Sequence, residues 1–389
     1  MLRIAIIGAG LGGLCVGQGL RKHGIAFDIY EKDPSPSSRT QGYRIRIDET
    51  GQRSLEQCLP ADQYELFRAT CAVATTGGQF IDQEMNEIAG RAVETWRPSE
   101  LEDAQAEEAP GDLSANRLTL REVLLHGIAD RVHFGKALSH VTETDDGVTV
   151  HFEDGSTTVA DVVVAADGVN SVIRRQRLPH AEPADTGAVC LYGTTILTGA
   201  LGDTIPVDLL TGTSVVFADG FVAVLDSMTF RQSLFTPENG LTPVPDYLYW
   251  AVFGPRTRLG LDADGDPDQD ALAVIEQATR DWHPALREIF ANTDRNTVAA
   301  MTVRTAAAPE LRPAGRVTLL GDAIHVMSPA AGLGANTALR DAATLTDALA
   351  AAQGDLIAAV ASYEAQMRAY AAEAITASLA GTAVLASNA

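Results

Sequence analysis

A chain of 389 residues is too long for one typical hydrophobic core, so two domains are the default. Apolar residues make up 46% and charged ones 21%, an ordinary globular balance, while a net charge of -22 repels nucleic acid and anionic membrane surfaces and argues against both as partners. Cys15, Cys58, Cys71 and Cys190 show no CxxC pair or zinc spacing, so no metal site is expected, and they read as buried free thiols in a reducing cytoplasm.

The first strand begins at Leu2, which is expected to leave no room for a signal peptide. Residues 4–7 are uncharged β-formers, and Leu14, Val16 and Leu20 then recur at helical spacing up to Gly24. Between them stands Gly8-Ala9-Gly10-Leu11-Gly12-Gly13, so the order is strand, tight turn, helix. In G-x-G-x-x-G, Gly8 serves the turn, Gly10 lets the backbone approach a pyrophosphate, and Gly13 packs helix on strand. A diphosphate would sit on the free amides and positive end of that helix. A second strand, residues 26–30, ends in Glu31 and Lys32, and Glu31 lies 18 positions beyond Gly13, where a carboxylate can accept from a ribose. A lone carboxylate favours the unphosphorylated adenosine ribose of FAD or NAD over that of NADP. The competing reading is an ordinary glycine-rich turn.

Residues 32–39 form a turn-rich connection, and 43–47 alternate as a strand with an arginine face. Arg44 and Arg46 there meet phosphates or a carboxylate substrate, or simply solvent. Residues 50–59 look helical. Between 75 and 111 the pattern loosens around Trp96 and an acidic tract, Ser99-Glu100-Leu101-Glu102-Asp103 with Glu107-Glu108, which reads as a solvated loop or a lid. A helix spans 116–128, and short strands at 132–138, 141–144 and 148–152 suggest a hairpin meander.

Residues 162–166 are the uninterrupted apolar run of a strand buried on both faces, followed at once by Asp167-Gly168, Asn170-Ser171 and Arg174-Arg175. Ligands of parallel sheets bind just outside such strand ends, which makes these residues candidates for cofactor contacts; the alternative is a plain helix cap. Strands at 190–197, 213–217, 221–227 and 247–253 precede a helix at 269–278 and form a largely antiparallel sheet. Tyr192, Phe217, Phe221, Met228, Tyr249 and Trp250 are core residues one by one, or as a group the wall of an aromatic pocket. A third buried strand, 317–320, ends in Gly321-Asp322; after Pro329, the run Ala331-Gly332-Leu333-Gly334-Ala335-Asn336 opens a helix to 350. Asp322 accepts from sugar-like hydroxyls or ties its own loop, and the bare amides of the helix start would stabilise negative charge on a ring above them. His325 tempts as a base but reads better as a structural histidine. The alanine-rich run 374–386 is shorter than a bilayer span and reads as a packed terminal helix, so no stable membrane anchor is expected.

These three punctuated strand ends, in this order, resemble the flavoprotein aromatic hydroxylases, the single-component FAD monooxygenases typified by p-hydroxybenzoate and salicylate hydroxylases and the tetracycline-modifying monooxygenases. The likeness spans nearly the whole chain. It implies an α/β fold: a Rossmann-like FAD-binding domain (1–72, 113–180 and 300–389), a mostly antiparallel substrate sheet (73–112 and 181–299) and a C-terminal helix. It further implies that Gly8, Gly10, Leu11, Gly12, Gly13, Glu31 and Lys32 hold the ADP half of FAD and that Arg117 reaches the cofactor. By the same likeness Asp167, Gly168 and Arg174 serve FAD and NAD(P)H, and Gly321, Asp322, Pro329 and Gly332 to Asn336 meet the ribityl chain and ring. Tyr192, Phe217, Met228 and Trp250 are then pocket candidates.

The implied reaction has NADH or NADPH reduce FAD and O₂ add at C4a, and the hydroperoxide delivers one oxygen to an aromatic or polyketide-like small molecule. No Ser-His-Asp or metal set is needed for this, and no protein base is named. Two rivals stay open: a flavin dehydrogenase or reductase of the same architecture, and a binding protein keeping a degenerate nucleotide fold.

Overall fold

The computed structural model describes residues 2–36, 38, 43–73, 78–88, 111–202, 204–218, 220–261, 270–311, 313 and 315–387. Trp96 and the acidic tract through Glu108 lie outside them. Five parallel strands form the first sheet, in the order Val317–Leu319, Val162–Ala165, Arg3–Ile7, Ala26–Tyr30, Val132–His133. Its central strands are apolar without alternation because both faces are covered; Ile6, Val162, Val163 and Val164 are fully buried. Register pairs Ile7 with Ala165 and Ala165 with Leu319, so three strands end level with one another.

Helices Leu11–Lys22 and Gly334–Ala350 pack together beside this sheet, and the 32-residue helix Leu356–Ser387 closes it from the C-terminal side. The terminal run is therefore a packed helix, and no helix among the described residues is long and apolar enough to cross a membrane. Tyr363 donates its hydroxyl to the Leu319 carbonyl at 3.0 Å, and Thr318 donates to Glu364 at 2.7 Å. Both bonds clamp the strand that leads into the third glycine turn.

The second sheet has six strands, in the order Ala299–Thr305, Ala184–Ile196, Tyr247–Pro255, Phe221–Met228, Thr213–Ala218, Gly78–Asp82. All pairs are antiparallel except the last. Side chains alternate across it apart from an irregularity between Asp185 and Val189, and helices Ala271–Ala278 and Pro284–Ala291 cover the face that carries Leu248, Trp250 and Val252.

Several expectations are corrected. Gly78–Asp82 is a strand inside the stretch read as loop, because its edge partner lies at Thr213–Ala218. The strand expected at 132–138 is broken at Gly135, φ 71: Val132–His133 ends the parallel sheet, and Leu138 already opens the next strand, Leu138–Thr144, opposite Phe152. The helix after Asn116 stops at Leu125, before Gly127 at φ 72. Ala299–Thr305 joins the antiparallel sheet, so the boundary expected at residue 300 falls within a strand.

Replacing Tyr363 with Ala is expected to cost about 3–5 kcal/mol of unfolding free energy, and Tyr363→Phe about 1 kcal/mol, as measured by urea denaturation. Equal costs for the two variants would show that the hydroxyl rather than the ring anchors the terminal helix.

Candidate functional site

The glycine turn after the first strand is packed too tightly for side chains. Gly8 has φ 109, and a Cβ there would lie 2.3 Å from the Ala166 carbonyl oxygen. A Cβ on Gly13 would lie 2.1 Å from the Gly8 carbonyl oxygen, whereas one on Gly10 would meet nothing within 4 Å. Gly10 is thus the position where the backbone faces open space. Leu11, Gly12 and Gly13 are the buried first residues of the helix. Glu31 is 7% exposed and accepts from the amides of Ala9 at 2.7 Å and Asp33 at 2.9 Å. Each carboxylate oxygen keeps a further lone pair for a ribose hydroxyl. Lys32 is exposed at the rim. From the other side buried Arg121 donates to the Ala9 carbonyl at 3.1 Å and also to the Pro36 carbonyl. Arg121 holds the turn and went unnoticed in the sequence, where Arg117 drew attention four positions earlier.

At the second strand end Asp167 accepts from the Val172 amide at 2.8 Å through Oδ2. Its Oδ1 is buried and finds no hydrogen-bond partner among the described residues. Burial raises this carboxyl above its usual value, against the hydrogen bonds from Ser171 and Val172. Gly168 follows at φ 74, and Ser171 caps the helix Val172–Arg177 by accepting from the Arg174 amide at 3.0 Å. Arg174 does not face the cleft. Its guanidinium is buried and donates to the Ala323 carbonyl at 3.3 Å and to Glu182 at 3.0 Å, tying this elbow to the next.

At the third, Gly321 has φ 59 and donates its amide to Asp341 Oδ2 at 2.8 Å. The same oxygen lies 2.6 Å from His325 Nε2, and Tyr370 donates to the other at 2.7 Å. Asp341 is the hub of this network; it sits within a helix pattern that gave no sign of it. His325 is fully buried here and holds the turn through Nε2, while its Nδ1 has no hydrogen-bond partner among the described residues. Burial alone favours its neutral ring, but Asp341 outweighs burial and raises its pKa. Asp322 opens into the cleft while protein surrounds it; desolvation pushes its carboxyl up, against the pull of His325 and Arg117. Arg117 itself lies over the Tyr43 ring, 5.4 Å from its centroid. Pro329 stands exposed, and Gly332 turns at φ 65 before the helix that starts at Gly334. Asn336 donates to the carbonyls of Arg46 and Gly332 and accepts from the Asp48 amide, so it staples the arginine strand to this helix. Leu333 and Ala335 flank Gly334 at the same half-buried helix start.

A cavity of about 480 Å³ lies between Pro329–Gly332, the arginine strand and the second sheet. Alternation decides which aromatics reach it. Tyr249, Ala251 and Phe253 line it, whereas Trp250 points to the opposite face, where it meets Phe290 at 5.4 Å and donates to Thr293 at 3.0 Å. Trp250 is therefore not a pocket wall, and neither is Phe221, which stacks on Trp282. Met228 is buried in the core with Phe230 and Tyr247, away from the cavity lining. Phe217 and Tyr192 lie on the cavity's side of the sheet, Phe217 against Phe80 and Tyr192 against Tyr43.

One family pattern, the FAD binding domain, matches residues 1–189 and 255–378. The chain belongs to this FAD-binding family. The residues fit the group that the family holds: an open backbone at Gly10, an unpartnered Asp167 oxygen, Asp322 in the cleft and a helix start at Gly334. The dual O-methyltransferase/FAD-dependent monooxygenase elcB of Phaeosphaeria nodorum is 34% identical over 386 residues, covering 89% of this chain and 40% of its own length. A 3-amino-4-hydroxybenzoate 2-monooxygenase of Streptomyces cremeus is 28% identical, covering 93% of this chain and 82% of its own. A crystal structure described as an FAD containing monooxygenase from Photorhabdus luminescens superposes with a TM-score of 0.81 at 31% identity, over 97% of both chains. The chain spans less than half the length of the dual-function relatives it matches. The fold is the p-hydroxybenzoate hydroxylase type of FAD-binding domain with its antiparallel second sheet.

Gly10→Val is expected to leave unfolding stability within about 1 kcal/mol, because the added atoms meet open space, yet to weaken FAD binding about tenfold or more. Fluorescence titration of the apoprotein with FAD checks this. A second expectation concerns pH. Because His325 is raised in the fold, its stabilising contribution is fully present below about pH 6.5 and is lost as pH climbs through the raised value. Asp341→Asn should abolish that dependence in urea unfolding followed from pH 5 to 9.

Proposed function

We propose that this chain is an FAD-dependent monooxygenase that uses NADH or NADPH and O₂ to insert one oxygen atom into an aromatic or polyketide-like small molecule. The observation that carries the reading is the junction of three glycine-punctuated strand ends with one adjoining cavity of about 480 Å³. The names of the relatives, FAD-dependent monooxygenases with one acting on an aminohydroxybenzoate, support the reaction class.

In this reading Gly8 to Gly13 cradle the diphosphate, Glu31 takes the ribose, and Asp167, Asp322 and Arg117 receive the middle of the cofactor. FAD, when bound, supplies the electron transfer and oxygen activation that no side chain offers. The start of the Gly334–Ala350 helix presents its positive end towards the cavity's Pro329–Gly332 wall and stabilises negative charge there. Val215, Val222, Val224 and Phe253 exclude water. The Cys190 thiol, pushed up to about 12 by burial, and the Tyr249 phenol, raised by burial, stay neutral. Neither serves as a base near neutral pH, and substrate activation falls to the substrate's own ring. Residues 1–72 and 113–180 with the chain after the Ala299–Thr305 strand form the cofactor unit, and the second sheet forms the substrate unit. The four buried free cysteines agree with a cytoplasmic setting.

The test is the visible spectrum of the purified protein, followed by substrate-dependent O₂ uptake. A yellow protein that consumes NAD(P)H and O₂ and yields a product heavier by one oxygen meets the expectation. Oxidation of NAD(P)H with a product lacking added oxygen sinks it in favour of a dehydrogenase, and a colourless protein that cannot take up FAD sinks both.

A further inference from the structure

We infer that the cavity selects an uncharged ring compound over its carboxylate form, and that the Arg44–Asp226 ion pair is the selecting element. This rests on the proposed function, since it names the substrate class of the same site.

Two arginines that face a cavity would ordinarily recruit an anion. Here each already stands in an ion pair with an aspartate. Arg44 forms an ion pair with Asp226, whose side chain is 5% exposed, and lies 3.2 Å from the Ser114 hydroxyl. Arg46 forms an ion pair with Asp112 and donates to the Ala331 carbonyl at 3.2 Å. Among the described residues that line the cavity, the charged groups are two arginines and two aspartates, whose formal charges sum to zero. Asp226 stands between Leu225 and Ser227 in the strand Phe221–Met228, on the face that bears Val222 and Val224. A carboxylate at such a place is costly unless paired, and its position opposite Arg44 on a separate strand makes that pairing its physical role.

An anionic ligand entering this space loses its hydration and meets no unpaired cation among the described lining residues. It also meets two carboxylates already in place. A phenol, quinone or ester loses only hydrogen bonds, and Ser227 and Tyr249 carry hydroxyls on the cavity wall to replace them. The volume of about 480 Å³ accommodates one such molecule. The carboxylate substrate named for the Streptomyces relative is therefore the wrong charge form for this chain.

The experiment measures binding of 3-amino-4-hydroxybenzoate and of its methyl ester to the FAD-loaded protein by calorimetry at pH 7.5, with two substitutions of opposite sign. In the native protein the ester should bind at least about tenfold tighter than the acid. Asp226→Asn leaves Arg44 unpaired and should shift the ester-to-acid ratio about tenfold or more towards the acid; Arg44→Gln leaves Asp226 unpaired and should shift it the other way. Circular dichroism and FAD content verify that each variant is folded, and the native measurement stands without either. Equal or tighter binding of the acid by the native protein, no binding of either ligand, or ratios unmoved in folded variants would overturn the inference. Ester binding without oxygen insertion, by contrast, sinks the oxygenase reading and leaves this charge selection intact.

Discussion

Three parallel strands that end level with one another are the constraint on which the rest of this molecule depends. Ile7, Ala165 and Leu319 are register partners, so the chain leaves the sheet three times along one line. In a parallel sheet covered on both faces, that line is where backbone groups turn towards a crevice. The turns must then fit against each other. Gly8 abuts the Ala166 carbonyl and Gly12 abuts the Leu320 side chain, so the first elbow touches both of the others through glycines, and at Gly8 the backbone leaves no room for a side chain.

Buried polar groups keep these turns in place. Glu31 and Arg121 grip Ala9 from opposite sides, one by its amide and one by its carbonyl. Asp341 holds the Gly321 amide while also meeting His325 Nε2 and the Tyr370 hydroxyl. Such groups lower the free energy only when their partners are all present, so they specify one arrangement of the loops as well as contributing stability. Asp167, with one oxygen partnered and one not among the described residues, marks where the internal network stops at the second elbow.

The second sheet works by a different rule. Its period of two sends one set of side chains into the core beneath two helices and the other towards the cavity. Apolar side chains dominate the cavity face, and the four charges there cancel in pairs. That surface lies beside the start of the Gly334–Ala350 helix, a pole of positive potential.

The amino-acid sequence by itself determined the three elbows, their order and the buried strands that feed them. Those features are local: a glycine spacing, an apolar run and the residue that ends it lie within a few positions of each other, and short-range sterics dictate the outcome. The tertiary structure alone decided the rest. Gly78–Asp82 is a strand only because Thr213–Ala218 lies beside it, and Arg121 matters only because Ala9, 112 positions away, comes to rest against it. Trp250 and Tyr249 look alike in a list of aromatics, yet pleating sends them to opposite faces. The arginines of residues 44 and 46 read equally as anion contacts or as a solvated face until the fold supplies Asp226 and Asp112, because the charge an approaching molecule feels is set by partners distant in sequence and not by the residue's own type.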